Sequence, residues 1–292
     1  MWYALLVLIL VPCGLAEFEV RYAIINRESQ ELVYITQNND DFAKNGCNPN
    51  DSFALVIHGW RDGPQKDWVI DVLSNLTVHR GGCIMYMSYG NETTDVNYFR
   101  DLYPKFDLLV NSLTQYLQRL EALGFDPDDG FIYGFSFGAN IALEAGRRFG
   151  LQRIGRIDVC EPTSIQFDND KRYFALDPKL AAKKVQCIHT SKTLGTRRRD
   201  CHVSWSMGSC GEYQSAAGPF PKGPHGLCPH FYNSAFTHRF LAVPKPNNCY
   251  SNRYALRWPL GFRMGYFCDM ESGVHGELFA ATTKNYPYNE DG

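Results

Sequence analysis

The residue best placed for covalent chemistry in this sequence is Ser136, which lies between two glycines in the stretch Gly134-Phe-Ser-Phe-Gly138. This Gly-x-Ser-x-Gly pattern is typical of a sharp turn that presents a nucleophilic hydroxyl between a strand and a helix. The apolar residues 131–133 predict the strand, and the apolar spacing of residues 137–145 predicts the helix. Glycines on either side leave the space that such a turn needs. The stretch therefore predicts a nucleophile elbow, with an ordinary glycine turn as the alternative interpretation.

A nucleophilic serine needs a base to accept its proton, and histidine is the usual choice. The histidines that follow Ser136 are His189, His202, His225, His230, His238 and His275. His189 lies in an apolar run and is expected to hydrogen-bond inside the core. His225 lies in a stretch rich in glycine and proline, whereas His230 follows Cys228, whose disulfide would anchor it. These two histidines are the candidates for the base, and the nearby cysteine favours His230.

A carboxylate must orient that base, and in enzymes with this turn it lies between the serine and the histidine in the chain. The candidates are Asp158, Glu161 and Asp177. Glu161 comes directly after the predicted strand 153–160, Asp158 lies within that strand, and Asp177 follows a polar run. Residues at the carboxyl ends of parallel strands face a common site, which favours Glu161.

Two backbone N–H groups are candidates to bind the negative charge that forms on an attacked carbonyl oxygen. The N–H of Phe137 follows the nucleophile and is placed by the turn itself. The second candidate is the N–H of Trp60, because His58-Gly59-Trp60 ends the apolar run 53–57. A simple strand-to-loop turn is the alternative interpretation of that motif.

Strand and helix patterns alternate along the part of the chain that carries these residues. Strands are predicted at 20–25, 32–36, 53–57, 82–87, 131–133, 153–160 and 185–189. Apolar residues at helical spacing predict a helix over 106–120, with Gly124 as its stop. The alternation predicts an α/β protein with a mainly parallel central sheet and helices on both faces. Residues 192–229 lack periodicity, and such a long irregular stretch is often an active-site lid.

The first 16 residues are predicted to be a secretory signal peptide, and residues 17–292 a single domain. The apolar run 4–11 is shorter than the ~20 residues that cross a bilayer. Gly14 and Ala16 give the small-x-small pattern of a cleavage site. No later apolar run reaches spanning length, so the mature protein is expected to be secreted and extracellular.

The composition argues against two classes of function. A net charge of −2 with mixed signs gives no basic surface for nucleic acid. The histidines and cysteines lack the paired spacing of metal ligands. Neither a metal nor another cofactor is therefore expected.

The cysteines predict a protein with disulfides and one free thiol. Cys13 leaves with the predicted signal peptide, so nine of the ten cysteines remain and at least one must be unpaired. Cys249 and Cys268 flank two strand-like pieces, 254–258 and 262–266, and are predicted to pair. Cys160 and Cys187 lie in strands that are expected to be neighbours in the sheet, and the free thiol is expected to be one of these two or a cysteine of the predicted lid. Glycosylation acceptor sequences begin at Asn50, Asn75 and Asn91.

The order of several motifs resembles the animal pancreatic-lipase family. They are His58-Gly-Trp60, Gly134-Phe-Ser-Phe-Gly138, Ile188-His-Thr190, Cys228-Pro-His230 and Met264-Gly-Tyr-Phe267. The resemblance covers residues 18 to 288 and implies a secreted protein with the α/β-hydrolase fold. The family contains triacylglycerol lipases, sn-1 phospholipases and egg-yolk proteins that have lost catalysis. Many members carry a C-terminal β-sandwich that this chain is too short to include.

The resemblance implies a triad of Ser136, Glu161 and His230, with an oxyanion hole formed by Trp60 and Phe137. Glu161 aligns with the aspartate of the family motif Ile-Gly-Arg-Ile-x-x-x-Asp-Pro, and His230 matches the family's Cys-x-His position. The two phenylalanines of the elbow replace the family's His and Leu. Neither replacement removes a reacting group.

The function implied by the resemblance is hydrolysis of the acyl ester of phospholipids or acylglycerols at a lipid interface, with transient contact with a membrane surface. A catalytically weak or inactive relative that binds or stores lipid is the main alternative. A non-lipid esterase is the third. The presence of a serine, an acid and a histidine in the required order favours the hydrolase.

The predicted lid is short. Residues 212–227 contain Phe220 and Leu227 as isolated large apolar residues, and in the family short lids accompany sn-1 phospholipases. The lid's usual first cysteine is absent, so Cys228 needs another partner, for which Cys210 is a candidate. Arg197-Arg-Arg199 is either a site for anionic head groups or a solvated surface cluster.

Overall fold

The structure is a computed structural model that describes residues 19–90, 97–219 and 223–290. The predicted signal peptide 1–16, the acceptor Asn91 and Phe220 of the predicted lid lie outside the described residues. No helix in the described ranges is long and apolar enough to span a membrane.

A nine-stranded sheet forms the centre of the part of the chain that the structure describes. The strands are β1 Val20–Ile25, β2 Leu32–Ile35, β3 Phe53–Ile57, β4 Cys83–Tyr89, β5 Gly130–Phe135, β6 Ile154–Cys160, β7 Ala182–His189, β8 Val203–Met207 and β9 Gly276–Ala280. Their order across the sheet is β2-β1-β4-β3-β5-β6-β7-β8-β9. β1 is antiparallel to β2 and β4, and the other neighbouring pairs are parallel. The predicted mainly parallel sheet is therefore confirmed.

Helices cover both faces of the sheet. They are α1 Asp40–Lys44, α2 Asp67–His79, α3 Phe106–Ala122, α4 Phe137–Phe149, α5 Lys171–Phe174 and α6 Cys228–Ser234. Successive residues of a strand point to opposite faces, so Leu55 of β3 enters a core with α3 and α4, whereas Val56 enters a core with α2 and α6. Covered faces explain why β3, β4 and β5 are buried at every residue. The helix predicted over 106–120 is confirmed as α3.

Two parts of the secondary-structure prediction are wrong. Residues 192–229 are not wholly irregular, because β8 lies among them. Its two serines are fully buried. A buried strand is predicted from a run of apolar residues, and these polar residues interrupt the run. Residues 254–258 and 262–266 form isolated bridges instead of strands, such as Tyr254 with Glu277.

The disulfides differ from the predicted pairing. They are Cys47–Cys83, Cys160–Cys228, Cys187–Cys201 and Cys210–Cys249. The predicted Cys249–Cys268 bridge is wrong, since Cys268 is a buried free thiol. The prediction that the free thiol is Cys160, Cys187 or a lid cysteine is wrong for the same reason, because all of these form disulfides. One unpaired cysteine was required by the odd count. Cys160 and Cys187 lie in adjacent strands as predicted, with Val159 opposite Cys187. The pairing of Cys228 with Cys210 is also wrong, because each bonds to a cysteine in a distant segment.

Candidate active site

Ser136 lies on a sharp turn between β5 and α4. Its backbone angles are φ 55° and ψ −120°, a conformation that a residue with a side chain rarely adopts. The flanking glycines permit the turn. A Cβ on Gly138 would lie 2.2 Å from the carbonyl oxygen of His58, and one on Gly134 would lie 2.7 Å from the carbonyl oxygen of Gly138. The strand, the strained turn and the helix together have the geometry of a nucleophile elbow.

The loop after β3 lies directly against the serine. A Cβ on Gly59 would lie 3.0 Å from the Cβ of Ser136, so the backbone that continues into Trp60 passes beside the nucleophile. Phe137 is the first residue of α4, and the first N–H groups of a helix have no acceptor within the helix. Both segments that were predicted to supply oxyanion donors therefore meet at Ser136.

The histidine beside Ser136 is His225. Its Nε2 lies 2.8 Å from the Oγ of Ser136, which is the separation that a serine–base pair requires. The imidazole is buried and packs 5.1 Å, centroid to centroid, from the ring of Phe135. A short 3-10 turn, His225–Leu227, holds it just before α6.

The structure corrects the choice of His230, which it does not bring to the serine. His230 is exposed on α6, where it acts electrostatically on Asp71 of α2. The disulfide of Cys228 anchors the start of α6 to Cys160. The turn that precedes α6 and carries His225 therefore lies beside Ser136, whereas His230 lies further along the helix. Pro229 was the signal for this arrangement, because proline is favoured in the first turn of a helix.

Glu161 lies at the carboxyl end of β6, as predicted, and is fully buried. The backbone N–H of Thr190 donates to its Oε2 at 2.6 Å, and the Thr190 hydroxyl donates to the same oxygen. The second oxygen, Oε1, accepts no hydrogen bond within the described residues. A Cβ on Gly195 would lie 1.8 Å from Oε1, so only glycine leaves room for the carboxylate here. Burial raises the pKa of Glu161 to about 8, and the bonds from Thr190 oppose that rise.

No hydrogen bond joins the carboxylate of Glu161 to the imidazole of His225. Their segments are nevertheless adjacent, because the residue before Glu161 is bonded covalently to the helix that follows His225. Hydrogen bonds between catalytic groups are often long without substrate and tighten when it binds. One carboxylate oxygen of Glu161 stays available for such a bond.

The alternative acids are occupied elsewhere. Asp158 is fully buried and accepts hydrogen bonds from Arg156 at 2.7 and 2.8 Å, from Gln186 at 2.8 Å and from Tyr232 at 2.7 Å. Asp177 caps a 3-10 turn by accepting from the N–H of Lys179 at 3.0 Å. These hydrogen bonds direct both carboxylates to groups other than Ser136 and His225.

One disulfide connects the three segments of the site. The N–H of Ser136 donates to the carbonyl oxygen of Cys160 at 3.0 Å. Cys160 directly precedes Glu161 and is bonded to Cys228, three residues after His225. The serine turn, the acid-bearing strand end and the histidine turn are thus held to one another at Cys160.

The arginine cluster of residues 197–199 is neither wholly solvated nor a continuous basic surface. Arg197 is exposed. Arg198 pairs with Asp200 at 2.6 Å, and the mostly buried Arg199 lies 3.4 Å from Glu277. Within the described ranges, no group of histidine, cysteine or acidic residues is arranged to hold a metal ion.

A mainly parallel sheet with a nucleophile elbow at its carboxyl edge and a histidine on the serine defines the class of α/β hydrolases. The sequence profile of the Lipase family matches residues 8–209. The chain belongs to this family, which is that of the pancreatic lipases.

The relatives are similar to this chain over part of their length. Pancreatic lipase-related protein 2 of Cavia porcellus is 26% identical over 77% of this chain and 51% of its own length. Human pancreatic triacylglycerol lipase is 30% identical over 54% of this chain and 36% of its own length. The chain therefore spans about half or less of these relatives. Among solved structures, the esterase PE8 has a TM-score of 0.35 at 17% identity and covers 56% of this chain and 72% of that chain. The fold assignment rests on the sheet order and the family match.

Proposed function

We propose that this protein is a hydrolase of lipid carboxylic esters that works through Ser136, His225 and Glu161. The observation that carries the proposal is the contact of 2.8 Å between the Oγ of Ser136 and the Nε2 of His225 at a strained strand-to-helix turn. Strain of this kind persists at functional sites because the surrounding structure imposes it. Membership of the lipase family supports an ester as the substrate.

In the proposed reaction, the Oγ of Ser136 attacks the ester carbonyl carbon while its proton passes to the Nε2 of His225. The N–H groups of Phe137 and Trp60 bind the oxyanion, and each such donor typically contributes about 3–4 kcal/mol to the stability of the transition state. The imidazolium then protonates the leaving alcohol. Water then attacks the carbonyl carbon of the acyl-enzyme while the Nε2 of His225 accepts its proton. The bond to the Oγ of Ser136 breaks, the Oγ takes the proton back and the fatty acid leaves. The carboxylate of Glu161 stabilises the imidazolium in both steps.

A lipid acyl ester is the proposed substrate because two relatives bear the names of pancreatic lipases. We propose that it is cleaved at a lipid interface with transient contact with a membrane surface. We also propose that the protein is extracellular, since four disulfides are typical of an oxidising compartment. An sn-1 phospholipase is the finer proposal, and the short stretch between β8 and His225 supports it.

The purified protein should hydrolyse labelled phosphatidylcholine vesicles or triolein emulsion when each is offered separately. Fatty acid released from the sn-1 position of phosphatidylcholine, with little from triolein, is the expected result. A Ser136→Ala variant is the matched control, because it lacks the nucleophile and should release nothing. Binding of either lipid without release of fatty acid would contradict the proposal and leave a lipid-binding protein.

Loss of the Cys160–Cys228 disulfide should lower kcat about 100-fold, because misplacement of a catalytic group by about 1 Å typically has an effect of that size. The matched control is the Cys47–Cys83 disulfide, which is equally buried but lies away from the site. Each bridge is expected to contribute about 4 kcal/mol to stability from chain entropy. Activity is therefore compared between the Cys160→Ala/Cys228→Ala and Cys47→Ala/Cys83→Ala variants at temperatures where both are folded. Equal kcat in the two variants would show that the first bridge only stabilises the fold.

A further inference from the structure

Arg199 is a mostly buried cation outside the proposed group of Ser136, His225 and Glu161. Its side chain is 13% exposed, and its guanidinium lies 3.4 Å from the carboxylate of Glu277, which is 5% exposed. Its Nε donates to the hydroxyl of Ser206 at 3.0 Å, and its Nη1 donates to the carbonyl oxygens of Thr196 and Arg198, each at 2.9 Å. These bonds fix the charge in one place inside the protein.

The same guanidinium borders the segment that holds Glu161. A Cβ on Gly211 would lie 3.1 Å from both the Nη2 of Arg199 and the carbonyl oxygen of His189, so the cation lies beside the end of β7. The next residue, Thr190, is the one that donates to the carboxylate of Glu161. Arg199 thus lies near the end of β7, which is one residue before the threonine that binds Glu161, and pairs with Glu277 of the edge strand β9.

We propose that Arg199 is a positioning residue for the proposed hydrolysis: its mostly buried guanidinium, shared between Glu277 and Glu161, favours the ionised form of the Glu161 carboxylate. The inference rests on the proposed function, in which an ionised Glu161 stabilises the imidazolium of His225. Arginine suits this role because its charge persists when it is buried. The carboxylate of Glu277 weakens the stabilisation of ionised Glu161, because it is closer to the guanidinium and partly neutralises its positive charge.

The electrostatics of the surrounding groups agree with this arrangement. Burial is the main cause that raises the pKa of Glu161, and Arg199 is among the groups that lower it. Burial lowers the pKa of Arg199, and the carboxylates of Glu277, Glu161 and Glu212 raise it. Two histidines belong to the segments around the acid: His225, whose proposed imidazolium form would favour ionised Glu161, and His189, which directly precedes Thr190. Burial and Arg199 hold the pKa of His189 well below its usual range, so this histidine stays neutral.

Two substitutions should shift the acid limb of the pH dependence of kcat/KM in opposite directions. Removing the cation with Arg199→Met should raise the pKa of Glu161, so the acid limb of kcat/KM should move up by about one pH unit. At pH 7 the activity should fall about tenfold and recover at higher pH. Removing the competing charge with Glu277→Gln, which keeps an acceptor for Ser206, should move the acid limb down.

The experiment measures kcat/KM against pH for wild type, Arg199→Met, Arg199→Lys and Glu277→Gln on a short-chain p-nitrophenyl ester. Circular dichroism selects the pH range in which each variant is folded. Opposite shifts in the methionine and glutamine variants, with the lysine variant between wild type and the methionine variant, are the expected result. Turnover that falls equally at all pH values without a shift would overturn the inference and leave Arg199 a structural residue.

If Arg199→Met does not fold, the test relies on Glu277→Gln. An acid limb of kcat/KM at the same pH as in wild type would then overturn the inference. Failure of the proposed function has a different signature. In that case wild type shows no turnover at any pH, and the function and this inference are overturned together. Turnover in wild type with unmoved limbs in the variants overturns this inference alone.

Discussion

Replacement of His225 by alanine should reduce kcat on a short-chain ester by about 10⁶, the size of the loss when a triad histidine is removed from a serine protease. The reason is that the Nε2 of His225 is the atom 2.8 Å from the Oγ of Ser136. Without it no base accepts the serine proton. The measurement is kcat of the folded variant, with a short-chain ester chosen so that binding to a lipid surface does not limit the rate.

His230→Ala is the matched control for this result. It removes the same side chain five positions along the chain, from an exposed site on α6. Its kcat should stay within about twofold of wild type, because His230 is exposed on α6 and His225 is the histidine beside Ser136. The reverse outcome, an inactive His230→Ala with an active His225→Ala, would show that the site rearranges before reaction and that the resting contact is not the catalytic one.

Glu161→Gln should keep the fold and lower kcat by about 10⁴, as the analogous change from aspartate to asparagine does in a serine protease. An amide cannot stabilise the imidazolium of His225, and it favours the wrong imidazole tautomer. Glutamine keeps the length of the side chain and an oxygen that can accept from Thr190. A large loss of kcat would therefore show that the negative charge of Glu161 is needed. The measurement is kcat at pH 9, where a carboxyl group with a pKa of about 8 is mostly ionised in wild type.

Three further variants test the assignment of the acid. Glu161→Asp should retain far more activity than Glu161→Gln, because it restores the charge with a shorter reach. Asp177→Asn should leave kcat near wild type, since this carboxylate caps a turn and pairs with Lys179 at 3.7 Å. Asp158→Asn should act mainly on stability, because the carboxylate binds a buried arginine. An inactive Asp177→Asn beside an active Glu161→Gln would refute the assignment.

The acid side of the activity follows from the same pKa. The carboxylate of Glu161 must be ionised, and its folded pKa is raised. Activity should therefore be present above about pH 8 and be lost as the pH falls through that value. The same raised pKa means that ionisation of Glu161 destabilises the folded protein at high pH relative to low pH.

Local patterns in the sequence determined the elbow, the parallel sheet and the position of Glu161. An elbow needs only small residues around the serine, and Gly134 and Gly138 lie within two positions of it. A buried strand is visible as an apolar run, and alternation of strands with helices implies parallel pairing. Glu161 follows such a run directly. Each of these inferences depends on residues that are close in the chain.

The choice of base, the disulfide pairs and the role of Arg199 were decided only by the tertiary structure. His225 and His230 lie five positions apart, one before Cys228 and one after it. The sequence does not determine which of these two segments lies beside Ser136. Cys228 bonds to a partner 68 residues away, and pairing over such a distance follows from the packing of α6 on the sheet. A run of three arginines indicates surface charges. In the structure, however, Arg199 contacts Ser206 of β8 and Glu277 of β9. These features depend on contacts between segments that are distant in the chain, which local patterns of charge and hydrophobicity do not encode.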